Sequence, residues 1–228
     1  MHVRQEHVVG ARPASVARER LLAERPHAGP EVAAILSVVG ASVRCAFPDL
    51  PLGIIIGSHS AETPLAVAKA IGAQFVRLKV YVGAMVKADG IEQGCAYEAV
   101  QYRARLGAED IAIVADVYDR TGIPLGEMDI EEASRWAVRY RADALVLTGH
   151  DFPGSLHMLE RVRAKQLGVP LLLGGSATAG NVSQALRYAD GIIVSTSLMS
   201  ASGSKAERAA RPWDEDAIRR FMDAARAI

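Results

Sequence analysis

Short apolar runs spaced by helix-length polar segments constrain this chain more than any other feature. Pro51–Gly57 (PLGIIIG), Ile111–Val117 (IAIVADV), Ala144–Leu147 (ALVL), the run from Leu171 and the run from Gly191 are each too short for a helix and too apolar for a surface strand. Between them lie segments with apolar residues at a helical period: Pro30–Cys45, Ala61–Ile71, Cys95–Leu106, Ile130–Tyr140 and Ser155–Leu167. Strand and helix in alternation, joined by short links, predict βαβ units and a parallel sheet buried on both faces. The composition agrees, with 50% hydrophobic residues but only 5% aromatics, so the core must come from Val, Ile, Leu and Ala. With Val3–Val9 and Gln74–Val80 added, seven strands are expected, one short of a closed (β/α)8 barrel. The expected fold is therefore a TIM-type (β/α) barrel, incomplete or with an atypical N-terminus, in one barrel-like domain over residues 1–228. Residues 1–29 form the atypical segment, with Ala14–Gly29 read as an Arg-rich surface loop and Pro212–Ile228 as a closing helix. Seven strands leave two edges, which predicts that the N-terminal segment covers the gap or that the chain is a homo-oligomer.

Lys plus Arg and Asp plus Glu number 26 each, which gives no electrostatic reason for a nucleic-acid partner. No apolar stretch is long enough to cross a bilayer and Met1–Gly10 has no signal-peptide core, so the expectation is a cytoplasmic protein without membrane insertion. Cys45 and Cys95 show no metal-ligand spacing and are expected as small buried residues. No cofactor motif stands out, and no metal site is expected, although His59, Asp116 and His150 are placed where they would converge at a barrel mouth.

The stretch Leu171–Met199 ends two strands in small and hydroxyl residues: Gly174-Gly175-Ser176 and Ser195-Thr196-Ser197. At the last two strands of a parallel barrel, such loops hold a phosphate through backbone N–H groups and hydroxyls. Their plain alternative is close packing of strand on helix. Asp116 ends a buried strand, where a carboxylate is either used in chemistry or paired with Arg77 or Lys79. Arg77 and Lys79 alternate and so point the same way, toward a phosphate or toward Asp116. His59 and His150 stand at strand ends as acid/base candidates, with Asp151 beside His150 to orient it, against the alternative of ordinary solvated loop residues. Thr148 and Arg120 are further candidates for substrate contact.

An ordered set of segments resembles the BtpA/SgcQ family. It comprises Leu50–Gly53, Ala66–Arg77, Val82–Met85 with Asp89-Gly90 and Gly94, Tyr102–Gly107, Ala115–Val117, Ala142–Gly149, Gly174–Ser176 with Asn181-Val182, Ala189–Gly191, Ser195–Leu198 and Pro212–Met222. The resemblance implies a TIM barrel with phosphate-binding features, in a family whose named roles run from photosystem I biogenesis to a sugar operon. It also implies that this chain starts after the family's first strand and helix. Ser58-His59-Ser60 stands where the family tends to carry Arg-Asn-Asp, and Arg120-Thr121 where it often has Lys-His. Two functions follow as expectations. One is an enzyme acting on a phosphorylated sugar or nucleotide, by lyase, isomerase or glycosyl or phosphoribosyl transfer chemistry. The other is a non-catalytic assembly or accessory protein that keeps the barrel.

Overall fold

The computed structural model describes residues 28–57, 59–88, 90–126, 128–200 and 211–227. Val3–Val9, the Arg-rich loop and Ser58 lie outside them. In chain order the elements are α1 (Pro30–Ala46), β1 (Gly53–Ile55), α2 (Glu62–Ile71), β2 (Phe75–Leu78), β3 (Ala84–Lys87), β4 (Gly90–Gln93), α3 (Ala96–Arg105) and β5 (Ala112–Asp116). There follow β6 (Ile123–Pro124), α4 (Ile130–Arg139), β7 (Ala144–Leu147), α5 (Phe152–Arg163), β8 (Leu171–Leu173), α6 (Val182–Ala185), β9 (Gly191–Ile192), a 3-10 turn (Thr196–Leu198) and α7 (Glu215–Arg226).

Six strands pair in parallel in the order β1-β2-β5-β7-β8-β9, the curled sheet of an incomplete α/β barrel. Period-two alternation sends one set of side chains toward the helices and the other to the opposite face. On the helix side, Ile54, Val76, Ile113, Leu145 and Leu173 join Leu65, Ala99, Ala133 and Leu159 in the main core. On the concave side a small second cluster forms from Val114, Ala144 and Val146 with Phe75, Leu172 and Ile193, none of them helical. Gly53 is a glycine because Phe75 crosses it: a Cβ there would stand 2.0 Å from the Phe75 ring.

The helix limits follow local chemistry. Gly72 in the left-handed region (φ 64°) ends α2. The helix expected from Ser155 starts at Phe152, because Asp151 accepts the Gly154 N–H (2.7 Å) as its N-cap. Likewise the closing helix starts at Glu215, where Asp214 caps it by accepting from Ala217 N–H.

The N-terminal ends of the strands carry a repeated clamp. Gln74 Oε1 accepts the Leu52 N–H (2.8 Å) and Arg44 Nη2 (3.0 Å). Asp143 Oδ2 accepts the Ile113 N–H (2.7 Å) and Arg103 Nη1 (2.7 Å). Asp190 Oδ2 accepts the Leu171 N–H (2.8 Å) and lies 3.0 Å from Arg163 Nη2. In each case an arginine from a helix and the N–H at the start of one strand meet on the residue that opens the neighbouring strand.

One element departs from expectation. Outside the expected strand and helix alternation, β3, β4 and β6 form a three-stranded antiparallel sheet in the order β4-β3-β6. Met85 and Lys87 point inward from it, while Val86, Ile91 and Ile123 face out and are exposed. The sheet stands at the C-terminal ends of β2 and β5, since β3 follows β2 and β6 follows β5.

Candidate functional site

Asp116, the last residue of β5, is 2% exposed and sits on the concave face. Arg77 grips it with two parallel donors, Nε to Oδ2 (2.7 Å) and Nη2 to Oδ1 (2.9 Å). Burial, the largest effect, pushes the Asp116 carboxyl above its usual range, and the opposing pull of Arg77, with a smaller one from Lys79, offsets it only in part. A two-donor fork facing two oxygens suits the ionised form. The pairing foreseen as the structural alternative is the one present, and it joins β2 to β5 just below the mouth.

Lys79 passes Asp116 by and reaches Asp119, a residue sequence reasoning missed. Asp119 is 6% exposed; its Oδ2 is 3.6 Å from Lys79 Nζ and 3.0 Å from Lys87 Nζ, and its Oδ1 accepts the Thr121 N–H (3.0 Å). Both lysines thus form ion pairs with Oδ2, Lys87 at hydrogen-bond distance. Burial opposes ionisation, but Lys79, the Thr121 N–H and Lys87 outweigh it and hold the carboxyl down at about 2. Lys87 also bonds Glu92 across the hairpin (2.9 Å), so β3 and β4 deliver a charged edge onto the barrel mouth.

His59 belongs to that edge. Its Nε2 shares a hydrogen bond with Gln93 O and its Nδ1 is 4.0 Å from Glu92, which ties the loop after β1 to β4. His150 is exposed and has no hydrogen-bond partner among the described residues. Asp151 does not orient it, being spent on the α5 cap. No three His, Cys, Asp or Glu side chains among the described residues group as metal ligands, so His59, Asp116 and His150 do not converge. Of the cysteines, Cys95 is buried, with burial pushing its thiol up to about 12, while Cys45 is exposed near the end of α1, contrary to expectation.

The loops after β8 and β9 are side by side. Ser197 Oγ donates to Ala177 O (2.7 Å), and Asn181 holds the first loop by accepting the Thr178 N–H (2.8 Å) and donating to Ser176 O (3.1 Å). Ser176 takes φ 62°, a left-handed conformation that costs a non-glycine residue energy and turns successive N–H groups to one side. The N–H groups of Gly175, Ser176 and Ser195 find no acceptor among the described residues. Arg120 extends toward this loop: its Nη1 is 3.4 Å from where a Cβ on Gly175 would be, and it has no ion pair or hydrogen bond among the described residues. The helices beyond are short, four residues in α6 and three in the 3-10 turn, so the helix-dipole share of the expected anion site is small. Backbone N–H groups and the Arg120 guanidinium, unpaired among the described residues, stand there instead. Gly174 has a packing role, because Thr148 lies against it.

A cavity of about 70 Å3 opens between these parts, lined by Met85, Asp119, Arg120, Thr148 and His150 among others. Thr148 Oγ1 is buried and lacks a hydrogen-bond partner among the described residues. A larger recess of about 260 Å3 lies at the opposite end, beside Leu171 and Asp190, where the polar groups serve the strand clamp.

The match to known proteins covers nearly the same span as the fold. Residues 25–227 fit the model of the BtpA family. The chain belongs to the BtpA family. Photosystem I biogenesis protein BtpA of Synechocystis is 34% identical over 151 residues, which are 65% of this chain and 52% of that protein, so the match spans about half of that relative. Among solved structures, N-(5'-phosphoribosyl)anthranilate isomerase from Pyrococcus furiosus superimposes with a TM-score of 0.55 at 15% identity, over 84% of this chain and 81% of that one. 3-Hexulose-6-phosphate synthase superimposes with a TM-score of 0.55 at 17% identity, over 83% and 80%. At such identities the likeness is one of fold, and it places this BtpA chain among TIM-type barrels. No helix among the described residues is long and apolar enough to cross a membrane.

Proposed function

We propose that this BtpA-family chain is an enzyme that binds a phosphorylated sugar or nucleotide at the C-terminal mouth of the barrel. The observation that carries the reading is Arg120, a guanidinium without a partner among the described residues, standing beside Gly175, over loops whose N–H groups at Gly175, Ser176 and Ser195 are also unpaired among those residues. Donors left open in this number, at adjacent strand ends, suit a phosphate dianion. The two fold neighbours are named for phosphorylated substrates, an analogy of fold that agrees with the reading.

The chemistry rests on Lys79 and His150. The Lys79 ammonium, paired with Asp119 at 3.6 Å, stands to stabilise an oxyanion developing on the substrate, and a histidine lining the cavity is the side-chain type able to pass a proton at neutral pH. Proton transfer next to a carbonyl, the step shared by lyases and isomerases, fits this set better than transfer through an oxocarbenium-like centre, because Asp116 is engaged by Arg77 and does not face a reacting carbon alone. That same engagement favours a second reading, a binding or assembly protein without turnover.

Thermal shift with inorganic phosphate and ribose 5-phosphate tests the binding. Both are expected to raise Tm, and Arg120→Met is expected to remove most of the rise while leaving the unliganded Tm unchanged. If neither compound shifts the transition, the phosphate reading is wrong. NMR of ribose 5-phosphate in D2O separates the two readings: carbon-bound deuterium that His150→Asn abolishes supports an enzyme, and binding without exchange supports an accessory protein.

A further inference from the structure

The outer face of α1 is exposed and uncharged. Glu31 and Arg44 bracket residues 32–43, which carry no charge at all. One side of the helix is spent on the fold: Val32, Gly40 and Val43 are buried, and Ala33 and Leu36 pack against the main core beside α2. The other side faces solvent. Ile35, Val38, Ser42 and Cys45 recur along it at intervals of three and four, flanked by Ala34 and Ala41, and Ile35 is 55% and Val38 69% exposed. The Ser42 hydroxyl donates to Val38 O (2.9 Å), so the one hydroxyl in the stripe already has its acceptor within the helix. A helix apolar on every side belongs in an interior, and a continuous apolar stripe left in solvent marks a contact surface.

Charge and size select what covers it. A charged side chain set on this stripe would lose its water without gaining a partner, so the occupant must be uncharged over the same length. Residues 1–27 of this chain do not qualify, because Arg or Glu interrupts them from Arg4 and Glu6 through Arg12 to Glu24 and Arg25. The stripe itself does. Its bulky residues, Ile35 and Val38, lie in the N-terminal half, and its small ones, Ser42 and Cys45, in the C-terminal half. Two antiparallel copies about a twofold axis beside residue 40 set Ile35 against the partner's Cys45 and Val38 against the partner's Ser42, bulky on small in every layer. Ala41, next to that axis, lets the helices approach closely. Parallel copies would set Ile35 on Ile35 and leave a gap between the small residues.

We propose that α1 is the interface of a homodimer, its outer stripe packing antiparallel on the same stripe of a second copy of this chain. One helix face per subunit lies at the small end of specific interfaces, for which about 800 Å2 per partner is standard, so the dimer forms and dissociates with concentration. The contact uses no residue of the mouth.

Sedimentation velocity and labelling with a water-soluble maleimide, each over a concentration series, test the interface on the full chain. Cys45 is the reporter, since it lies in the stripe while Cys95 is buried. As concentration rises the parent is expected to pass from monomer to dimer and Cys45 to label roughly tenfold more slowly. Val38→Glu is expected to stay monomeric, to label rapidly at every concentration, and to keep the parent's Tm in dilute solution because position 38 is exposed there. Under mild oxidation Ile35→Cys is expected to give a covalent dimer through the partner's Cys45. The parent should give none, since two Cys45 stand about 15 Å apart in the antiparallel pair, beyond disulfide reach. A parent that stays monomeric and labels rapidly throughout overturns the interface. A monomer whose Cys45 is protected at every concentration also overturns it, by putting another segment of this chain on the stripe. A dimer that Val38→Glu leaves intact is formed by another surface, and a Cys45–Cys45 cross-link in the parent overturns the antiparallel arrangement.

Discussion

Thr148 Oγ1 stands 1.7 Å from the point that a Cβ on Gly174 would occupy, so the strand end after β8 is a glycine because the strand end after β7 is a threonine. Val146 Cγ1 closes the same space at 2.7 Å. Gly174→Ala should cost about 1–3 kcal/mol through overpacking. The Thr148→Ala/Gly174→Ala pair should recover part of that loss, an interaction readable from urea midpoints in a double-mutant cycle. Additive losses would mean that the two residues do not press on each other.

The Arg77–Asp116 fork predicts a structural penalty at a position that the sequence left open between catalysis and pairing. Removing one partner strands a buried charge, which typically costs about 3–5 kcal/mol. Asp116→Asn and Arg77→Met should therefore each lower the unfolding midpoint, and Arg77→Met/Asp116→Leu should lower it less than the two singles combined. An Asp116→Asn protein as stable as the parent, yet devoid of activity, would restore the catalytic assignment.

Asp119 sets the acid limit of the fold's charge network. Its carboxyl is held at about 2, below the ordinary aspartate range. A depressed acid contributes stability that is present above about pH 4 and is lost as pH falls toward 2. The open side of the cluster is screened by water, which leaves a contribution on the order of 1 kcal/mol. Stability measured against pH should fall across that window in the parent and more shallowly in Asp119→Asn.

At the other end of the sheet, Asp143→Ala should cost about 2 kcal/mol, since it orphans the Ile113 N–H and frees Arg103. Phosphate-induced thermal shifts should be unchanged by it. A lost ligand response would tie the two ends of the barrel together energetically.

The parallel sheet was legible because each strand and helix announces itself locally, through runs such as ALVL and periods such as that of Ile130–Arg139. The β4-β3-β6 sheet was not. Its outward positions hold Val86, Ile91 and Ile123, exposed residues that mark no core, and the pairing of Met85 with Pro124 joins distant parts of the chain. One signal was available in the sequence: an Asp-Gly pair at positions 89 and 90, a dipeptide that favours a hairpin turn. Asp119 was missed for a related reason. It lies three residues beyond the end of β5, and its burial is created by Lys87 from the sheet that was not foreseen. The loops after β8 and β9 were singled out by their small and hydroxyl residues, but Arg120 as the cation beside them was only one name among several, because its approach to Gly175 exists in space and not in spacing.

The clamps at the strand starts divide the sheet into three tiles: β1 with β2, β5 with β7, and β8 with β9. At the two joints between tiles the corresponding N–H groups, of Ala112 and Leu145, bond only to the backbone carbonyls of Gln74 and Pro170. Across the same two joints, at the mouth, lie Arg77 with Asp116 and Thr148 with Gly174. Each joint is thus fastened by plain backbone pairing at one end and by a side-chain contact at the other, so the sheet's arc is held at the mouth by just those residues that a substitution there would disturb.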